Sequence, residues 1–191
     1  MLSNTFRTFT PVRTCTNQYT VYTRYKSVLK KDFNGRCGYT DSPDNWFGGS
    51  KCFHIDHFKP KDQFPELSCS YSNLVYCCSH VNNKKSNKIG LFLDPCDVDM
   101  NDHFFRDDHG NICAKETSVE AQFMMKELAL NQRRYGLIWQ LEQLQLKLEE
   151  ITVLLDKHLN LDTKEELILL RLYKETSSMF QKYFKYLGTE L

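Results

Sequence analysis

The 191-residue sequence contains no stretch approaching the roughly 20 consecutive apolar residues that a helix needs to cross a bilayer. Its first residues, Met1-Leu2-Ser3-Asn4-Thr5, lack the basic and then apolar blocks of a secretion signal. Internal repeats and low-complexity tracts are also missing. With 26% charged and 41% hydrophobic residues, the chain is too apolar for a disordered segment and ordinary for a globular one. These absences lead to the expectation of a soluble, cytoplasmic protein without a membrane partner. The length suits one domain, or a small catalytic unit with a helical addition.

A strong net charge is missing too, but the formal value of +1 conceals an asymmetry. Residues 1–93 carry 13 Lys and Arg against 6 Asp and Glu, a balance of +7. Residues 94–191 carry 12 against 18, a balance of −6. A basic half is what a polyanion-binding surface requires, because each neutralised phosphate releases a counterion. Nucleic acid running over the whole molecule is disfavoured by the acidic half. Eight cysteines are present, seven of them before residue 100. Without a secretion signal they read as reduced thiols, metal ligands or small buried apolar groups.

Val21, Tyr25, Val28 and Leu29 recur at roughly helical spacing and predict a short helix between Asn17 and Asp32, ended by the turn pair Asn34-Gly35. Arg36 to Asn45 reads as a tight loop or knuckle. Residues 52–58, Cys-Phe-His-Ile-Asp-His-Phe, alternate as a strand does, and Pro60 and Pro65 bracket the following loop. Residues 71–78 suit a second strand or the start of a helix, and a polar helical run is expected from Ser79 to Asn87. Residues 94–118, rich in Asp, Asn, Gly and Pro, are expected to be an irregular connection with a turn at Asp108-His109-Gly110-Asn111. From residue 119 the chain is expected to be helical. Leu137, Leu141, Leu144, Leu148, Ile151 and Leu155 form a heptad seam. A second helix is expected from Asp162, which has capping-box spacing to Glu165. Joined near Asn160, the two would make an antiparallel hairpin, either packed within the chain or forming half of an interface with another.

Chemistry concentrates at His54-Ile55-Asp56-His57. Adjacent side chains on a strand diverge, so Asp56 and His57 can serve one site only where the strand ends or bends. There a carboxylate could hold a hard cation while the imidazole takes a proton from water. Downstream stand Tyr71-Ser72-Asn73-Leu74, Cys78, Asn82 and Lys85. In order and spacing these residues resemble the His-Asn-His (HNH) endonuclease family.

That resemblance implies an α+β, mostly helical protein. A ββα-metal core would occupy residues 1–93 together with the N-terminal helix, while the leucine seam separately places a C-terminal helical hairpin over residues 119–191. The resemblance implies His57 as general base, with Asp56 and Asn82 as ligands of one Mg²⁺ or Mn²⁺ and His80 as the alternative third-position ligand. Asn73 would hold the His57 loop, and His54 would support the ligands from behind. Lys59, Lys61, Lys84, Lys85 and Lys88 flank this centre as expected phosphate contacts. Many family members also carry two Cys-x-x-Cys pairs that bind structural zinc. Here the matching positions are Cys37 with Thr40 and Cys78 with Val81. Structural zinc is therefore not expected, and Cys37 and Cys78 should pack as buried thiols.

Asp94-Pro95, the stretch Phe104 to Ile112, Leu128-Ala129-Leu130-Asn131 and Arg133 or Arg134 resemble the nuclease subunit of Septu-type and retron-linked anti-phage systems. This resemblance implies an ATPase partner and nucleic acid as substrate, DNA rather than RNA. The C-terminal helices would then serve that partner or self-association. The rival reading is a non-catalytic nucleic-acid-binding adaptor built on a decayed HNH knuckle.

Overall fold

The computed structural model describes residues 5–157 and 163–189. The chain forms two compact units, Met1–Gln132 and Arg133–Leu191.

In the first unit a 3₁₀ turn, Tyr22–Tyr25, leads into helix α1, Lys26–Asp32. The predicted helical start at Asn17 is thus too early; the segment before Tyr22 is not helical. Tyr25 and Leu29, four apart, are the buried face. The helix stops as predicted, because Asn34 and Gly35 both adopt positive φ (50° and 67°), where an α-helix cannot continue. The knuckle that follows is closed by Cys37 N–H donating to the Ser42 carbonyl (2.9 Å) and Asp41 N–H to the Cys37 carbonyl (2.9 Å).

Strand β1, Phe53–His57, pairs antiparallel with β2, Leu74–Cys78, in a register running from Phe53 opposite Cys78 to His57 opposite Leu74. Residues 71–73 form a single 3₁₀ turn, so the ambiguity over this segment resolves as turn then strand. All five residues of β2 are buried, which its unbroken run Leu-Val-Tyr-Cys-Cys allows. Helix α2, Ser79–Lys85, follows without a loop and buries Val81 and Lys85 on its inner face. Two strands and a helix give the ββα unit expected from the sequence.

The expectation of an irregular segment over 94–118 is corrected. Strands β3, Phe104–Arg106, and β4, Ile112–Ala114, form a hairpin, and Thr5 bridges to Phe105 on its edge. The turn is where the sequence placed it: Asp107 accepts hydrogen bonds from the N–H groups of His109 (2.9 Å) and Asn111 (2.8 Å). Helix α3, Val119–Glu127, is capped by Ser118, whose hydroxyl accepts from Ala121 N–H at 3.1 Å.

The second unit is α4, Arg133–Lys157, packed on α5, Thr163–Thr189. The Arg133 guanidinium lies 5.7 Å from the Tyr186 ring centroid, so the start of one helix meets the end of the other and they run antiparallel. Of the seam, Leu137, Leu141 and Leu144 are buried, while Leu148, Ile151 and Leu155 are half-exposed. The expected joint near Asn160 and the cap at Asp162 lie outside the described residues. No helix among the described residues is long and apolar enough to cross a membrane.

Candidate active site

A cleft of about 300 Å³ opens beside the end of β1 and α2, lined by Asp56, His57, Pro60, Lys61, Asn82, Asn83, Ser86 and Asn87. The strand terminates at His57, which lets neighbouring side chains of opposite pleat reach the same cavity. Three residues named from sequence as base or ligands, His57, Asp56 and Asn82, therefore share one cleft. The alternative ligand, His80, does not line it. Its Nε2 instead accepts a hydrogen bond from Gln132 Nε2 at 2.7 Å, and burial, then Lys84, lower its pKa.

His57 Nε2 lies 2.9 Å from the Ser68 carbonyl oxygen. A carbonyl only accepts, so Nε2 carries the proton and Nδ1 keeps the lone pair in the neutral ring. The Tyr22 ring stands edge-on to the imidazole, with centroids 4.7 Å apart.

Asn73 clamps the backbone just after His57. Its Oδ1 accepts from Lys59 N–H at 2.8 Å, and its Nδ2 donates to the carbonyls of Lys59 (2.9 Å) and Leu67 (3.3 Å). One side-chain amide thus satisfies both backbone groups of Lys59, extending the β1–β2 ladder past the strand end. Phe58 N–H donates to the Asn73 carbonyl (2.8 Å), completing the clamp.

Asp56 is almost fully buried (3% exposed) and holds two partners. Tyr39 donates its hydroxyl to Oδ2 at 2.7 Å, and the Lys85 ammonium lies 3.1 Å from Oδ2 and 3.3 Å from Oδ1. Burial pushes the Asp56 carboxyl up, against the downward pull of Lys85 and Tyr39, and the net direction is upward. The Tyr39 hydroxyl is pushed well above its ordinary value by burial and by Asp56.

Asn82 is held from behind by His54, whose Nδ1 lies 3.2 Å from the amide nitrogen. That contact leaves Asn82 Oδ1, among the described residues, with only a 4.0 Å thiol contact from Cys77, so its lone pairs are available to a cation.

The lysines divide. Lys59, Lys61 and Lys84 are exposed, with Lys61 also on the cleft wall. Lys88 is exposed but paired to Glu127 at 2.7 Å. Lys85, expected among the phosphate contacts, is corrected: its side chain is 0% exposed, spent on Asp56 and on the His57 carbonyl at 2.8 Å. A lysine beside a buried carboxylate is drawn inward because each ion offsets the other's desolvation.

Among the described residues no group of three or more His, Cys, Asp and Glu side chains could hold a metal ion. The cleft offers instead the Asp56 carboxylate and, beside it, the amide oxygen of Asn82, with further amides at Asn83 and Asn87. Two hard donors facing an open, polar cleft suit a hydrated Mg²⁺ or Mn²⁺, which keeps several waters and takes phosphate oxygens for the rest. They do not suit zinc, which favours a tetrahedral nitrogen and sulfur set. At the knuckle, the sulfurs of Cys37 and Cys78 lie 3.9 Å apart, both buried. Burial raises the Cys37 thiol, but hydrogen bonds from Cys78, Thr40 and the backbone outweigh it, and the net direction is downward.

Sequence reasoning missed Tyr39. It lies within the knuckle, 17 residues from Asp56, and carried no signal beyond its place beside Cys37.

Residues 35–88 match the family model described as HNH endonuclease. The chain is also 30% identical over 141 residues to "Septu protein PtuB" of Bacillus mycoides (strain KBAB4), an alignment covering 56% of this chain and 47% of that protein. It therefore matches about half the length of that curated relative. The matched segment starts at the Gly35 turn and runs through the knuckle, β1, β2 and α2, and so takes in the whole cleft: residues 35–88 form a domain of the HNH endonuclease family.

Proposed function

We propose that this chain is an endonuclease that hydrolyses DNA phosphodiester bonds, with His57 as general base and Asp56 and Asn82 holding one Mg²⁺ or Mn²⁺. The reading rests on one observation above all. The cleft gathers a carboxylate, a free amide oxygen and an imidazole whose Nε2 is already committed to the Ser68 carbonyl. Nδ1 of His57 then accepts a proton from water as the water oxygen bonds to phosphorus. The bond from phosphorus to the departing sugar oxygen breaks, and that oxygen takes its proton from solvent. A divalent ion, when bound, supplies stabilisation of charge on the phosphate and the leaving oxygen. Asn73 keeps the loop after His57 in place, and exposed Lys59, Lys61 and Lys84 contact the phosphate backbone. Lys88, already paired to Glu127, contributes less.

The likeness to a Septu protein supports a place in a bacterial anti-phage system, working in the cytoplasm with an ATPase partner. Exposed apolar side chains on α5, among them Leu167, Ile168, Leu172 and Phe184, suit contact with such a partner or with a second copy.

The non-catalytic adaptor remains a second reading, favoured by one feature: the single carboxylate of the cleft is already engaged by Lys85 and Tyr39. The test incubates plasmid DNA, and separately a structured RNA, with the protein and Mg²⁺ or Mn²⁺, alone and with the ATPase encoded beside it. Metal-dependent cutting of DNA that His57→Ala abolishes is the expected result. Cutting that survives this substitution would overturn the mechanism. Metal-independent binding without cutting, even with the ATPase present, would favour the adaptor.

A further inference from the structure

Three buried tyrosines in this unit each donate a hydroxyl to a buried aspartate at 2.7 Å: Tyr39 to Asp56, Tyr71 to Asp32 and Tyr76 to Asp44. The pairs share one chemistry, but their placement differs. Of the three aspartates, only Asp56 lines the cleft beside His57 and Asn82.

Tyr39 reaches Asp56 from a segment with its own supports. Gly38, just before it, donates its N–H to the Tyr76 carbonyl at 2.8 Å, and its carbonyl accepts from the Arg7 guanidinium at 2.6 Å. The carbonyl of Thr40, just after it, accepts from Arg106 at 2.8 Å. A Cβ at residue 38 would come within 2.7 Å of Val75 and 2.8 Å of Phe33, so the backbone carrying Tyr39 is pressed directly onto β2 and the end of α1. Tyr39 is itself 0% exposed. From this position the hydroxyl donates to Oδ2 of Asp56 at 2.7 Å.

We infer that Tyr39 is a positioning residue for divalent-metal binding: its hydroxyl fixes the Asp56 carboxylate so that Oδ1 is presented to the cleft. It thereby couples the knuckle to the candidate metal site. The inference rests on the proposal that Asp56 is a metal ligand. With Oδ2 occupied by Tyr39 and the nearer contact of Lys85, Oδ1 carries, among the described residues, only the longer 3.3 Å contact from Lys85 and keeps lone-pair capacity for a cation. Outer partners of this kind orient a ligand and tune its affinity, and their loss typically weakens metal binding by about 10–100-fold. The Tyr39 phenol thus ties the knuckle to the Asp56 carboxylate directly.

The experiment measures Mn²⁺ binding to the full chain without nucleic acid, by calorimetry and by the electron paramagnetic resonance signal of free Mn²⁺. Tyr39→Phe keeps the buried ring and removes only the hydroxyl; Tyr76→Phe does the same at the matched pair away from the cleft. The expected result is a loss of Mn²⁺ affinity of about tenfold in Tyr39→Phe and unchanged affinity in Tyr76→Phe. Equal affinity in wild type and folded Tyr39→Phe overturns the inference, as does an equal loss in both variants. Asp56→Asn separates this failure from that of the underlying proposal. If it binds Mn²⁺ as wild type does, the ion is not at Asp56 and both fall. If it loses binding while Tyr39→Phe does not, only the role of Tyr39 falls. Should Tyr39→Phe fail to fold, the buried hydroxyl proton of Tyr39 is followed by NMR in wild-type protein during Mg²⁺ titration. A shift confined to Tyr39 among the three buried pairs supports the inference, and no shift overturns it.

Discussion

The Lys85 ammonium lies 3.1 Å from Asp56 and 2.8 Å from the His57 carbonyl, so one buried cation ties the candidate ligand to the residue carrying the candidate base. Both side chains are almost inaccessible, at 0% and 4% exposure. Lys85→Met therefore leaves a buried carboxylate without its counter-charge, and is expected to destabilise the protein by about 3–5 kcal/mol in urea denaturation. Adding Asp56→Leu should recover most of that loss, because no charge is then stranded, while leaving the protein unable to cut. If Lys85→Met is as stable as wild type, Asp56 is not held as a buried ion.

Asn73 offers a cleaner separation of stability from chemistry. Asn73→Asp keeps the oxygen that accepts from Lys59 N–H but sets a carboxylate oxygen against the carbonyls of Lys59 and Leu67. It should lower kcat more than it changes KM for nucleic acid, because the loop after His57 shifts while Lys84 on α2 stays. Asn73→Ala should cost about 1–3 kcal/mol in stability through unmet backbone groups. Full kcat in folded Asn73→Asp would remove the clamp from the account.

The legible parts of this fold were those in which local pattern and tertiary role agree. The alternation of residues 52–58, the Asn34-Gly35 stop and the helical run after Ser79 all report their own surroundings. Their order, together with the Asn73 and Asn82 spacing, carried the family resemblance that implied the ββα unit. The hairpin over 104–114 was hidden because its strands are three residues long and place Arg106 inward, against the usual apolar alternation. Arg106 is buried because it meets the carbonyls of Phe6, Thr40 and Gly110, partners 100, 66 and 4 residues away. Lys85 misled for a related reason. A lysine among lysines reads as solvated surface, and the carboxylate that draws it inward lies 29 residues earlier.

The knuckle is expected to stand without metal. Arg106 and Arg7 hold the carbonyls of Thr40 and Gly38, and the sulfurs of Cys37 and Cys78 meet at 3.9 Å. Arg106→Met strands three buried carbonyls and should cost about 3 kcal/mol or more. Incubation with a strong zinc chelator should leave the melting temperature unchanged. A chelator-induced drop of several degrees, with zinc recovered from the protein, would show that a metal staple exists after all.

Asp32 links this framework to pH. Burial alone would raise its carboxyl, but donation from the Thr14 N–H (2.7 Å), the Tyr71 hydroxyl (2.7 Å) and the Thr14 hydroxyl (2.7 Å) outweighs burial and holds it below the ordinary carboxylate range. The folded protein thus keeps Asp32 ionised to lower pH than the unfolded chain does. Its contribution is complete above the unfolded value, near 4, and is lost as pH falls through the lowered folded value. Asp56 and Asp94 are shifted the other way, so the acid response of the whole protein mixes signs. The difference between wild type and Asp32→Asn isolates this one group. In urea denaturation across the acid range, the stability gap between the two should be widest near pH 6 and narrow progressively below pH 4, as the protonated wild-type carboxyl comes to resemble the amide. A gap that stays constant through that range would mean that Asp32 stabilises the fold without the charge that its three donors are arranged to receive.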